Sequence, residues 1–405
     1  MRFAMVTTFY PPYGFGGDAT FVRALSRALV AQGHEVEVAH CMDAYELLAG
    51  NTAPLAELDD PGILVHRLKS RFGAISPLVT QQTGMPGLKD ASLQRILERD
   101  FDVIHFHNIS LVGGPGVLRL GSAPCKLYTL HEHWLICPTH IFWKNRSRAC
   151  EKPECLSCCL RSGVPPQVWR YTGLRDNALR HVDRLIAPSE FTAERHRSAG
   201  ITQRIDVLPL FSANEGVAED GPPREPIPSP YFLYVGRVTA SKGVAPMVRS
   251  IASAKDINLV VVGDGDLRSR LADEYGSCAN IRFLGALPQS HLSQLYSGAR
   301  ALILPSLAPE TFGLTIVEAA ARGVAAVVRS SSGGAPAIVK SSGGGVLYDR
   351  DEDLVPALRR LASDPALALE LGQRAQAGYQ QNYTRARHLE GYMTCIETVL
   401  AEKRP

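Results

Sequence analysis

Residues 305–322 read P-S-L-A-P-E-T-F-G-L-T-I-V-E-A-A-A-R. Positions 314–321 are good helix formers with apolar residues at helical spacing, and Gly313 and Thr315 suit a helix entrance, so a helix is expected to begin just after Glu310. Glu318 then sits inside that helix and Glu310 in the loop that feeds it. Eight helical residues rise about 12 Å and turn about 80° beyond two full circuits, so both carboxylates can face one elongated, hydroxyl-rich ligand. Between them the backbone amides of Phe312, Gly313 and Leu314, with the positive end of the helix dipole, form a seat for phosphate. Taken alone, Glu310 reads as a helix cap and Glu318 as a solvated helix residue.

The segment resembles the E-x7-E signature of retaining family-4 glycosyltransferases, including its Pro-Ser, Phe-Gly and Glu-Ala-Ala flanks. Upstream, Gly236-Arg237-Val-Thr-Ala-Ser-Lys242-Gly243 resembles the same family's G-R-x4-K-G motif. The resemblance implies an α/β protein of GT-B fold, two Rossmann-like domains facing a central cleft. It implies a nucleotide-diphosphate sugar donor with Arg237 and Lys242 on the diphosphate, Glu318 on the ribose hydroxyls and Glu310 on the transferred sugar. His131, in T-L-H-E-H-W, corresponds to the family's histidine at the reacting sugar. Gly16 and Gly17 correspond to a loop facing donor pyrophosphate and acceptor, and Leu284 to a backbone contact with the base. Gly263, in V-V-G-D-G, is a further candidate beside the base. Two fixed cations neutralise a departing diphosphate as a divalent metal does elsewhere, so no catalytic metal is expected.

A chain of 405 residues is too long for one ordinary core and predicts two large domains. Hydrophobic residues at 45% and charged residues at 20% are ordinary globular values, and no apolar run reaches the roughly 18 residues of a membrane span. The opening M-R-F-A-M-V-T-T enters a strand without a signal-peptide pattern, which reads as cytoplasmic. A net charge of +3 does not argue for nucleic acid. The excess is local: residues 126–204 hold 13 Lys and Arg against 7 Asp and Glu. A segment opening at Val168-Trp-Arg-Tyr171 and carrying Arg175, Arg180 and Arg184 reads as a basic, aromatic helix, either a solvated face or a peripheral contact with anionic lipid at the inner membrane face.

Strand, Gly/Pro loop and helix alternate from the start: a strand at 2–7, a glycine-rich turn at 9–18 and a helix at 20–32. Further strands are expected at 34–40, 63–68, 101–108, 126–130, 184–187 and 205–208. Ligands of open α/β sheets meet the carboxyl ends of such strands. His105 and His107 are expected on opposite faces of theirs, with His107 a cleft or a packed histidine. The first domain is placed at 1–210. Five of nine cysteines fall in an insertion at 137–160, where Cys137, Cys150, Cys155 and Cys158 follow C-x12-C-x4-C-x2-C. In a cytosolic protein this spacing suits structural zinc, with reduced thiols or an iron–sulfur site as alternatives.

Residues 211–230, with five prolines, form the linker, and alternation restarts in a second domain at 231–383. By resemblance, the helix at 384–405 crosses back to the first domain and sets Tyr392 and Leu400 against it. The function expected is a retaining hexosyl or related transfer to a hydroxyl acceptor, in polysaccharide, lipid-linked or small glycoside synthesis. The rivals are a nucleotide-sugar epimerase, an inverting transferase on the same fold, and a silent sugar-nucleotide-binding subunit.

Overall fold

In chain order the strands are β1 (Arg2–Val6), β2 (Glu35–Cys41), β3 (Ile63–Leu68), β4 (Val103–Phe106), β5 (Cys125–Thr129), β6 (Trp143–Lys144), β7 (Arg148–Ala149), β8 (Arg184–Ala187), β9 (Ile205–Val207), β10 (Tyr231–Val235), β11 (Asn258–Val262), β12 (Ile281–Gly285), β13 (Ala301–Leu304), β14 (Ala326–Arg329) and β15 (Gly345–Tyr348). They belong to a computed structural model that describes residues 1–50, 60–213, 227 and 229–404. Most of the expected linker therefore lies outside the described residues.

Seven strands form one parallel sheet in the order β3-β2-β1-β4-β5-β8-β9, and six form a second in the order β12-β11-β10-β13-β14-β15. Strands such as Phe3 to Val6 and Leu259 to Val262 are apolar without alternation and wholly buried, as a parallel sheet covered by helices on both faces requires. Each sheet reverses its strand order once, between β1 and β4 and between β10 and β13. At such a switch point the loops leaving the carboxyl ends diverge and open a crevice for ligand. Both sheets are thus Rossmann-like.

The chain divides into two compact units, 1–140 with 154–209 and 389–405, and 141–153 with 210–388. The short antiparallel pair β6-β7, inside the cysteine-bearing insertion, groups with the second unit. The last helix, Arg385–Glu402, carries its final residues into the first unit. There Tyr392 is fully buried; its ring lies 5.3 Å from that of His105 and its hydroxyl 2.9 Å from His105 Nδ1. Arg184 pairs with Glu402, and Lys403 reaches Asp183 at 2.7 Å. Leu400 is only half-buried, the helix burying Ile396 and Val399 instead.

Three local expectations are corrected. The first helix spans Gly16–Ala31, so the glycine pair is its first turn and not the loop before it. Residues 168–184 are not one basic helix: a short 3-10 turn (Val168–Tyr171) precedes a helix at Leu174–Leu179, and Arg184 belongs to β8. His105 and His107 share a face, their rings 3.9 Å apart, because residues two apart in a strand point the same way.

Candidate active site

The second switch point is built by two loops locked together. The loop leaving β13 lies against the 3-10 turn Ala240–Lys242 after β10, where the amides of Leu307 and Ala308 both donate to the Ser241 carbonyl, at 2.9 and 2.8 Å. The loops after β10 and β11 meet through Gly236 and Gly263: with φ +130°, Gly263 has no room for a Cβ, which would collide with the Gly236 carbonyl oxygen. The Tyr234 hydroxyl donates to the Arg237 carbonyl at 2.6 Å and fixes the base of that loop.

On this frame Lys242 and Glu310 are joined, Nζ lying 2.6 and 2.8 Å from the two carboxylate oxygens. An ammonium has three donors, so this grip leaves one for a phosphate oxygen. Ser306 Oγ also donates to Glu310, and the Glu310 backbone is pinned by its amide to Ser332 and its carbonyl to the Gly334 amide. Burial works against ionising Glu310, but Lys242, Ser306 and Arg237 outweigh it and hold the carboxyl below its ordinary value. Arg237 itself is exposed at the loop tip.

Glu318 lies in the helix Leu314–Ala321 and is only 7% exposed, which removes the solvated-residue alternative. Tyr296 donates to its carboxylate at 2.6 Å. Taking a carboxylate out of water is costly unless it is hydrogen-bonded, and the Tyr296 hydroxyl meets part of that need. Phe312 is buried with its ring 5.9 Å from Tyr383, so it packs while Gly313, at φ +139°, opens the helix entrance. Leu284 is half-buried in β12, and Gly263 donates its amide to the Gly285 carbonyl at 2.8 Å. Arg237, Lys242, Gly263, Leu284, Glu310, Phe312, Gly313, Leu314 and Glu318 thus all lie in the second unit, in or beside the carboxyl-end loops of its sheet. Tyr296, which bonds Glu318, carried no signal in the sequence, and Ser306, which bonds Glu310, entered only as part of the Pro-Ser flank.

In the first unit His131, just past β5, lies 2.9 Å from His107 by Nε2 and Nδ1, and its ring is 5.4 Å from that of Phe21. Gly16 and Gly17 begin the helix that carries Phe21.

Among the described residues, Cys137, Cys150, Cys155 and Cys158 included, no group of three or more His, Cys, Asp and Glu side chains is placed to hold a metal ion. The charge of Arg170 acts on Cys137, Cys155 and Cys159. Arg170 donates to Gln167 Oε1 at 2.6 Å and to the carbonyls of Trp134 and Leu135 at 2.6 and 3.1 Å, and it lies over the Trp169 ring at 4.5 Å. A half-buried guanidinium ties together the two segments that flank the insertion, and its charge opposes a second cation close by.

The glycosyltransferase family 4 profile matches residues 15–211, and the glycosyl transferases group 1 profile matches residues 219–378. A D-inositol 3-phosphate glycosyltransferase of Arthrobacter sp. is 27% identical, over 96% of this chain and 92% of its own. Sucrose-phosphate synthase from Thermosynechococcus elongatus superposes with a TM-score of 0.76 at 20% identity, covering 99% of each chain. Anabaena HepE in complex with UDP-glucose superposes at 0.66 and 16% identity, covering 98% of this chain and 100% of its own. With both sheets, both profiles and these likenesses in agreement, the chain belongs to the family-4 glycosyltransferases of GT-B fold.

Proposed function

We propose that the protein is a retaining transferase that moves a sugar from a nucleotide-diphosphate donor to a hydroxyl acceptor. The observation that carries this is the set of fixed charges at the second switch point: Arg237 and the Lys242–Glu310 pair, with Glu318 buried against Tyr296. Lys242, with its remaining N–H, and Arg237 are assigned to the diphosphate, Glu318 to the ribose hydroxyls, and Glu310 to the transferred sugar. The HepE structures hold UDP and UDP-glucose, which supports a donor of that class here. In the step itself the acceptor oxygen bonds to the anomeric carbon, the bond from that carbon to the phosphate oxygen breaks, and the acceptor proton passes to the departing phosphate. Charge that grows on the diphosphate is met by cations already in place, the kind of interaction that lowers a barrier most. His131 is assigned to orienting the reacting sugar. Retention of anomeric configuration rests on the E-x7-E resemblance.

No helix among the described residues is long and apolar enough to cross a membrane. Leu156, Leu160, Val168 and Tyr171 are each more than half exposed, near the exposed Arg161, and supply a surface for peripheral attachment to anionic lipid. Glu310→Gln tests the main assignment. Radiolabelled sugar transfer should fall about 100-fold or more while nucleoside diphosphate affinity changes by less than about tenfold. Undiminished transfer removes Glu310 from the reaction, and NMR of the product anomer decides retention.

A further inference from the structure

A second group of side chains lies at the carboxyl ends of the first sheet. Asp18, in the first turn of the helix Gly16–Ala31, accepts a hydrogen bond from Asn108 Nδ2 at 3.0 Å. Asn108 follows β4 and is 5% exposed. Its Oδ1 takes the Ser110 amide at 3.2 Å and the Ser110 hydroxyl at 2.7 Å, and its carbonyl takes the Thr8 amide. With so many bonds the Asn108 amide cannot turn, and it holds the Asp18 carboxylate in one orientation. Burial, and then the charge of Glu132, push the Asp18 carboxyl up to about 6, against hydrogen bonds from Asn108 and nearby backbone amides. Glu132 follows His131 and lies 2.8 Å from His140 Nδ1.

Three residues before Asp18, Phe15 caps the same helix and is 39% exposed. Its ring stacks on Tyr45, centroids 5.1 Å apart and planes 17° from parallel, and meets Phe9 edge-on at 5.4 Å. A large aromatic ring held half in water by packing on its other side is a platform and not a core residue. A rigid hydrogen-bond-accepting carboxylate in the helical turn that an exposed aromatic ring caps matches a molecule that has hydroxyls on its edge and C–H groups on its face. A phosphate beside Asp18 would meet two acids, Asp18 and Glu132. Of the cations near this aromatic group, Arg67 lies over the Tyr13 ring at 5.7 Å and Lys69 is paired with Glu46 at 2.6 Å.

We propose, resting on the transferase function above, that the acceptor is an uncharged sugar or cyclitol, one hydroxyl received by Asp18 under the hold of Asn108 and its carbon face laid on Phe15. Asp18 is a positioning residue: it fixes which hydroxyl is presented, and it does so as the carboxylate. The charge of Glu132, itself held against His140, reaches it, and lowering the pH through the Asp18 transition weakens acceptor binding.

The test measures nucleoside diphosphate released from the donor in the presence of octyl glucoside, octyl mannoside, octyl galactoside or myo-inositol, each paired with its phosphate ester. At least one uncharged member should stimulate release about tenfold more than its ester. Asp18→Asn and Phe15→Ala should each raise the KM for that acceptor about tenfold or more, with a smaller effect on kcat. Asp18→Glu should restore part of the loss. The acid limb of kcat/KM for the acceptor should vanish in Asp18→Asn and move to lower pH in Glu132→Gln, because Glu132 is one of the causes that raise Asp18. Stimulation by none of the uncharged members, preference for the esters, or an Asp18→Asn enzyme with unchanged KM and acid limb each overturns the proposal. Calorimetry of the wild-type chain with UDP, GDP and ADP separates the two levels. A protein that binds none of them fails as a transferase, whereas one that binds a nucleotide and ignores uncharged acceptors fails only here.

Discussion

The two sheets reverse strand order in the same way, and the loops at the two reversals carry opposite chemistry. In the second unit the loops present a lysine, an arginine and two acids with their partners already chosen: Lys242 on Glu310, Tyr296 on Glu318. In the first unit the corresponding strand ends carry histidines, the Asp18–Asn108 pair and a stacked aromatic group. One fold therefore offers a seat with cations and one with an acid, an amide and an aromatic ring, and the difference follows from side chains on a few loops, since the strands beneath are interchangeable in kind. A donor that leaves as a diphosphate needs the first kind of seat, and a hydroxyl acceptor needs the second.

The contrast breaks most visibly at the cations. Lys242→Ala and Arg237→Ala should each lower sugar transfer about 100- to 1,000-fold in a radiolabel assay, because the charge they neutralise grows toward the transition state. Next comes the frame that holds them. Gly263→Ala forces a Cβ against the Gly236 carbonyl at a φ that side chains rarely adopt, and should cost on the order of 3 kcal/mol in a denaturant titration. Little change there would mean the loops after β10 and β11 are not locked.

The histidines sharpen the comparison through pH. Burial, with Arg67 adding to it, pulls His40 down to about 3; burial, with His196 and Arg195, does the same to His133; burial lowers His196 to about 4. All three lie in the first unit. The unfolded chain takes up these protons below about 6.5 and the folded chain does not. Their contribution is therefore fully present above pH 6.5 and is lost as pH falls toward 3 to 4. Between pH 6.5 and 5 each should cost about 2 kcal/mol. Hydrogen exchange across that range should show the first sheet loosening before the second. The smallest effect is expected from Tyr392→Phe, which removes the hydroxyl bond to buried His105 and should lower stability by about 1 kcal/mol in a thermal melt.

Strand runs, the helix after Glu310 and the motif residues were legible in the sequence because periodicity and turn chemistry are local. So was the family, from two motifs that both lie in the second unit. The Lys242–Glu310 bond was not, since the two residues are 68 positions apart and meet only because β10 and β13 are neighbours in the sheet. The role of Asp18 was hidden for the same reason: its partner Asn108 is 90 residues away. The cysteine spacing shows which sulfurs are near in sequence and not that the charge of Arg170 acts on Cys137, Cys155 and Cys159. Arg184 was read both as the end of a basic helix, by charge, and as the start of a strand at 184–187; the strand is what forms, with Leu185 and Ile186 packed in the sheet.

The proposed transfer reaction depends on the second unit seating a nucleoside diphosphate. Calorimetric titration of the wild-type chain and of the Arg237→Ala/Lys242→Ala double variant with UDP, GDP and ADP asks this directly. Saturable binding of at least one nucleotide by the wild type, weakened about 100-fold or more in the double variant, is the predicted result. Absence of binding by the wild type, or equal affinity in both proteins, would contradict it.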